Sequence, residues 1–245
     1  MSGFEQGEKG LSPYGAIPSP ERKVIVYRLG RVEYPEALKL QQDFFKRKLE
    51  GMEEEVLFLL EHPPTLTLGR FGKRTNLRVS EEELAIRGIA LHSTDRGGDV
   101  TFHGPGQLVA YPILDLRKRG RDIRRYVFEL QEVVIRTLAD FSIVGDRDPR
   151  HVGVWVGREK ICALGLAVQR WISRHGLALN VNTDLRFFSL IHPCGIRDRG
   201  VTSMAEVLGG PLSLREVTDR FVAHFSTVFA LTPVEGMAER SEKVS

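Results

Sequence analysis

The chain has 245 residues, 42% of them hydrophobic and 27% charged, with a formal net charge of +3. That is enough apolar material for one large domain or two small ones, and the charge is too balanced to leave the basic footprint of a nucleic-acid-binding protein. No apolar run approaches the ~18 residues of a membrane span, and two cysteines without an export-type leader point to reduced thiols in a cytoplasmic protein.

Residues 1–22 are polar and rich in Gly and Pro. They lack the basic and apolar regions of a secretory signal and are expected to form a flexible arm. A single domain is expected over residues 23–232, followed by a tail over 233–245. Lys23–Arg28 reads as a first strand. A helix follows from Pro35, with apolar positions at Leu38, Phe45 and Leu49 and a stop at Gly51. Val56–Glu61 is a near-continuous apolar run, as in a strand buried on both faces, and Thr65–Arg70 alternates like another strand. Ser80 and Glu83 make a capping box for a short helix ended by Gly88.

Arg96–Gln107 reads as a long glycine-rich loop, and Leu108–Leu114 as a strand. From Asp122 to Phe141 the apolar residues Ile123, Tyr126, Val127, Leu130, Val133, Val134, Leu138 and Phe141 hold helical spacing. Gly153–Val156 and Lys160–Leu164 read as strands joined by a tight turn, and Gly176–Asn182 as one more. A capping box at Ser213 and Glu216 opens a last helix with a stripe of Val217, Phe221, Phe225 and Val228. Strands and helices interleave without strict alternation. The pattern predicts an α/β fold of the α+β type, a mixed β-sheet flanked by helices, rather than a doubly wound parallel sheet.

Two places carry the chemistry. The glycines of Arg96-Gly97-Gly98-Asp99-Val100-Thr101-Phe102-His103-Gly104-Pro105-Gly106-Gln107 allow close backbone approach to a ligand. The spacing fits neither a phosphate-binding loop nor a dinucleotide fingerprint, and composition alone leaves a binding loop and a structural turn both open. The second place is Cys194, set between Pro193 and Gly195. Proline fixes the approach of the backbone and glycine leaves space beyond the sulfur, as suits a nucleophile. A free thiol titrates at about 8.5, so it needs a base or cation; His192, His103, His175 and Lys160 are the candidates. Cys162 sits in an apolar strand and reads as core. His62 and His92 read as turn or strand residues and His224 as a half-buried helix residue. Cys162, Cys194, His103 and His192 lack metal-ligand spacing, and no metal is expected.

Arg96–Pro112 resembles the signature of the octanoyl-[acyl-carrier-protein]:protein N-octanoyltransferases of lipoate biosynthesis. Further resembling segments follow in family order: Glu61–Arg70 before it, then Gly153–Val156, Lys160–Gly165, His175–Asn180, Pro193–Ile196 and Thr202–Met204. The resemblance runs from about Val24 to about Phe229. It departs at Cys162, where a small residue without a thiol is usual, and in the N-terminal arm.

The resemblance implies the fold of the lipoate and biotin protein ligases and no cofactor. It implies that Cys194 is the acyl-thioester nucleophile and Lys160 its partner. It implies substrate contacts at Arg96, Gly97, Gly98, Asp99, Val100, Thr101, Phe102 and His103, at Ala163, Leu164 and Gly165, and at Gly176, Leu177 and Ala178. The implied donor is octanoyl-acyl carrier protein. The implied acceptors are lipoyl domains of 2-oxoacid dehydrogenases and the glycine cleavage H protein. An ATP-dependent ligase of the same fold and a non-catalytic effector-binding module are the alternatives. Between Arg117 and Arg125 the chain has six basic residues against one acid, which reads either as a solvated surface or as a dock for an acidic partner.

Overall fold

The structure is a computed structural model and describes residues 19–192 and 199–237. In chain order its strands are β1 (Ser19–Arg31), β2 (Glu55–Glu61), β3 (Thr65–Leu68), β4 (Ala90–Ser93), β5 (Val100–His103), β6 (Gln107–Ile113), β7 (Asp146–Arg147), β8 (Val154–Val156), β9 (Glu159–Gln169), β10 (Ile172–Asn180) and β11 (Leu231–Glu235). The helices are α1 (Tyr34–Leu49), α2 (Glu81–Ile86), α3 (Ile123–Asp140), α4 (Met204–Leu208) and α5 (Leu214–Phe229).

Eight strands form the main sheet in the order β11-β1-β2-β6-β10-β9-β8-β7, and β4-β3-β5 form a smaller one. The pairs β11–β1 and β1–β2 are parallel, and every later pair of the main sheet is antiparallel. The mixed sheet expected from the sequence is therefore present. β2 shows why it is buried on both faces. By strand alternation, Leu57 and Leu59 join the core under α3 and α5, while Val56, Phe58 and Leu60 join the core under α1. A third core fills the small sheet, where Leu66, Val100 and Phe102 meet Leu84 of α2 and Phe188 and Leu190 of a 3-10 turn at Leu185–Leu190.

The serine N-caps of both capping boxes hold as read. Ser80 and Ser213 accept the backbone N–H groups of Glu83 and Glu216 at 3.2 and 3.3 Å. In α5 the stripe Val217, Phe221, Phe225 and Val228 is buried. The stripe of α1 lies elsewhere than expected: Leu38, Phe45 and Leu49 are half-buried or exposed, and the core face is Tyr34, Ala37, Gln41, Phe44 and Lys48. Its two polar members have buried partners. Gln41 accepts the His175 N–H at 2.7 Å, and the Lys48 ammonium pairs with Glu55 at 3.0 Å. The glycine-rich stretch is not all loop, because Val100–His103 forms β5 against β3. Strand pairing also reaches into both expected ends: β1 begins at Ser19, and β11 runs to Glu235 alongside it.

Candidate active site

The floor of the site is one piece of antiparallel ladder. Ala163, Leu164 and Gly165 of β9 lie directly opposite Ala178, Leu177 and Gly176 of β10. The two stretches that resemblance singled out separately are thus cross-strand neighbours. Ala163, Gly165, Gly176 and Ala178 share one face by alternation, and their small side chains leave space above it. A Cβ on Gly176 would come within 2.0 Å of the Ala110 carbonyl oxygen, so β10 packs closely against β6 only because this residue is glycine.

The glycine-rich loop lies along the edge of this floor. Gly97 donates its N–H to the Leu166 carbonyl at 2.8 Å, and Gly98 has a φ of +90°, open to glycine at little strain. Arg96 is buried and organises the loop from within. Its guanidinium donates to the Thr67 hydroxyl at 3.0 Å and to the carbonyls of Thr67 and Asp99 at 2.7 Å each. Asp99 turns the other way. Its carboxylate accepts the N–H groups of Lys73 and Val100 at 3.0 and 2.8 Å and the Asn76 side-chain amide. Val100 and Phe102 point into the small-sheet core, where the Phe102 ring stacks on Phe187 at 4.7 Å.

Between loop and floor is a pocket, partly open to solvent, whose space is about 500 Å³ including that open solvent. Arg96, Gly98, Thr101 and His103 line one side, and Ala163, Leu164, Gly165, Gly176, Leu177 and Ala178 the other. Tyr34, Tyr111, His175 and Lys160 complete it.

The buried histidines around the pocket are held neutral by their surroundings. His62 donates Nδ1–H to the Val32 carbonyl at 2.7 Å, so its Nε2 accepts from the Tyr111 hydroxyl at 2.9 Å. Burial lowers its pKa to about 4. His103 donates Nδ1–H to the Gln107 amide oxygen at 2.9 Å, and burial holds it well below the usual imidazole range. His175, with a φ of +56°, pairs through Nε2 with Asp95 at 2.7 Å; burial lowers its pKa despite that partner. Burial likewise raises the Tyr34 phenol. Such groups offer hydrogen bonds without charge, which leaves Arg96 and Lys160 as the cations of the lining.

Lys160 sits at the start of β9, a place where a lysine after Gly157-Arg158-Glu159 is ordinarily solvated. Here it is only 7% exposed. Its ammonium lies 5.0 Å from the centroid of the Trp155 ring, a cation–π distance. Gly153 makes room for the lysine stem, since a Cβ there would sit 3.1 Å from Lys160 Cε. The Lys160 backbone N–H donates to the Gly200 carbonyl at 3.0 Å, and its carbonyl accepts the Thr202 N–H at 3.0 Å. Arg199 packs on the same Trp155 ring at 5.0 Å and pairs with Asp148. On the other side, His192 donates its N–H to the Asn76 carbonyl at 2.8 Å, and Ile191 bridges Leu77. Pro193, Cys194, Gly195 and Ile196 lie outside the described residues; the described chain on both sides of them is fastened at this site. Among the described residues no group of three or more His, Cys, Asp or Glu is placed to hold a metal ion.

Residues 33–226 match the lipoyl protein ligase A/B catalytic domain family. An octanoyltransferase of Desulforamulus reducens is 44% identical over 212 residues, covering 86% of this chain and 93% of its own. One from Caldicellulosiruptor bescii is 47% identical over 208 residues, covering 84% and 91%. The chain belongs to the octanoyltransferase family. As an octanoyltransferase it is an acyltransferase, a member of the enzymes named for octanoyl transfer. Its fold is that of a bipartite lipoate protein ligase from Thermoplasma acidophilum, with a TM-score of 0.71 at 18% identity over 89% of each chain.

Of the octanoyltransferase residues expected from sequence to touch substrate, Gly97, Asp99, Val100 and Phe102 do not line this pocket, although Gly97 lines a cavity beside it. Gly97 holds the loop to β9, Asp99 braces the segment around Asn76, and Val100 and Phe102 are core. Sequence reading passed over Tyr34, Tyr111 and Trp155. Tyr34 reaches the pocket from α1 through long-range packing, which leaves no local spacing to read; Tyr111, on β6, stands near the end of the Arg96–Pro112 segment that resemblance had marked. Trp155 stands in a segment that resemblance had marked, with no hint of a cation on its ring.

Proposed function

We propose that the chain transfers an octanoyl group from octanoyl-acyl carrier protein to a specific lysine of lipoyl domains, through a thioester on Cys194. The acceptors are the lipoyl domains of 2-oxoacid dehydrogenases and the glycine cleavage H protein. The observation that carries the reading is the meeting of buried Lys160, the Arg96–His103 loop and the β9–β10 floor around one pocket, in a chain so similar to octanoyltransferases. The likeness to a lipoate protein ligase described together with its E2 lipoyl domain supports a lipoyl-domain acceptor. The chemistry belongs to one catalytic domain, and a thiol nucleophile suits a reducing cytoplasm.

In the first step the Cys194 thiolate attacks the donor carbonyl; the new carbon–sulfur bond forms as the carrier thiolate leaves. The exchange is nearly isoenergetic, because one thioester replaces another. In the second step the acceptor amine attacks, an amide forms, and the Cys194 thiolate leaves. In the first step the Lys160 ammonium stabilises the Cys194 thiolate and gives its proton to the leaving carrier thiolate; the neutral amine so formed takes the proton of the attacking amine in the second. The pocket holds the acyl chain over the small residues of the floor, and the N–H of Gly98 is suited to the developing oxyanion.

Incubating the protein with octanoyl-carrier protein in the absence of ATP is expected to add one octanoyl group to Cys194, read by mass spectrometry of the digested chain. Cys194→Ser should abolish the adduct, and Lys160→Ala should slow its formation at least a hundredfold. An absolute requirement for ATP would replace this reading with that of a ligase.

A further inference from the structure

A thioester has two arms diverging from its reacting carbon, so a site that accepts one needs two channels meeting at the reactive groups. The structure has a second cavity against the first. It shares Gly98, Lys160, Leu164 and Gly165 with the acyl pocket and extends to the opposite face of β9. Its space is about 830 Å³, including open solvent. One wall is apolar, made by Ile123 and Val127 at the start of α3 with Val152. Ile123 and Val152 are 43% and 55% exposed, unusual for apolar side chains beside a buried lysine.

The other wall is an open strand edge. β8 pairs with β9 only as far as Cys162, and beyond it the next contact along that edge is the Gly97 N–H on the Leu166 carbonyl. On the edge away from β10, Ala163–Gly165 therefore has no strand beside it among the described residues. Because hydrogen-bonding direction alternates along a strand, the N–H and C=O of Leu164 face the same side as those of Leu166, into this gap. The cavity thus offers a backbone donor and acceptor between apolar walls, which suits an extended chain containing amides. Its rim is positive. Arg150 lines it, and the sequence around Ile123 adds Arg121 and Arg124 against the single acid Asp122; all three arginines are exposed, and none has a side-chain ion pair among the described residues. By contrast Arg117, Arg119 and Arg125 of the basic run are tied to Asp115 and Glu129.

The geometry points to this groove as the channel for the donor's thiol-side arm: a pantetheine chain with its amides on the β9 edge and its terminal phosphate at Arg150. The inference rests on the transfer reading above and adds the route by which the donor enters. With α3 on one side and β9 on the other, the groove admits a single extended chain, which favours the linear arm over a folded hairpin of the acceptor.

The test compares two donors, octanoyl-N-acetylcysteamine, which has a truncated arm, and octanoyl-4′-phosphopantetheine, by the rate of Cys194 acylation. Val152→Asp and Arg150→Glu change exposed side chains and are not expected to disturb folding. Each should lower kcat/KM for the phosphopantetheine donor at least fivefold relative to the truncated one. With octanoyl-pantetheine, which lacks the phosphate, the Arg150→Glu effect should disappear while the Val152→Asp effect persists. Equal effects on both donors, or a raised KM for the lipoyl-domain acceptor alone, would overturn the assignment. Absence of an octanoyl adduct on the unsubstituted chain with either donor would overturn the transfer reading itself, whereas an adduct whose rate ignores these substitutions overturns the groove alone.

Discussion

Gly165 and Gly176 sit opposite each other, yet each is glycine for a different reason. At Gly165 an added Cβ would meet the Gly97 carbonyl oxygen at 2.9 Å and Arg96 Cδ at 3.2 Å, so the methyl group pushes the loop off the strand. At Gly176 it would strike the Ala110 carbonyl, part of the sheet itself. Gly165→Ala is therefore expected to cost activity, at least tenfold in kcat/KM, with a loss of stability of about 1 kcal/mol. Gly176→Ala is expected to cost about 3 kcal/mol or more, since overpacking against backbone has little room to relax. Urea unfolding and steady-state rates on the two variants separate the effects. The identities of the pocket residues on these strands were legible in the sequence through resemblance. Their pairing was not, because register is a long-range property that neither segment carries alone.

The elements that bear the site are joined by a few polar contacts, and Asp99 is the clearest. It holds Lys73 and Asn76 to the glycine-rich loop, and Asn76 in turn accepts the His192 N–H. Asp99→Ala is expected to lower kcat at least tenfold while KM for the donor changes less than threefold. The melting temperature should fall by only a few degrees, as for loss of an exposed or half-buried hydrogen bond. A dominant rise in KM would restore Asp99 to direct substrate contact. At this scale the strong amphipathic helices were readable, and α1 shows where reading fails. Its buried face includes Gln41, whose partner His175 lies far along the chain, and Lys48, whose partner Glu55 opens the next strand. A polar residue that is buried because of a distant partner looks, in sequence, like a solvated one. β5 was hidden for another reason: four residues between glycines are too short to show a period.

Across the whole molecule, the buried neutral histidines couple folding to pH. His62, His103 and His175 all titrate below the ordinary imidazole value because burial disfavours their charged form. The unfolded chain binds protons at these sites below about pH 6.5 while the folded chain does not. Stability is therefore complete above that pH and falls as the solution is acidified. For His62 the loss accumulates between pH 6.5 and about 4 and amounts to roughly 3 kcal/mol at the acid end. Urea midpoints measured from pH 8 to pH 4 should fall throughout the lower half of that range. His62→Gln, less stable at neutral pH, should show the shallower slope. The overall architecture, a mixed sheet with helices on it, was legible from interrupted alternation of strands and helices, whereas the parallel return of β11 beside β1 was not, because its five residues follow directly on a helix.

The attachment of Lys160 to Val201 is one isolated bridge rather than a ladder. A solitary rung of this kind opens more readily than a continuous sheet. On gentle heating, turnover should cease several degrees before circular dichroism registers any melting, and cooling should restore it.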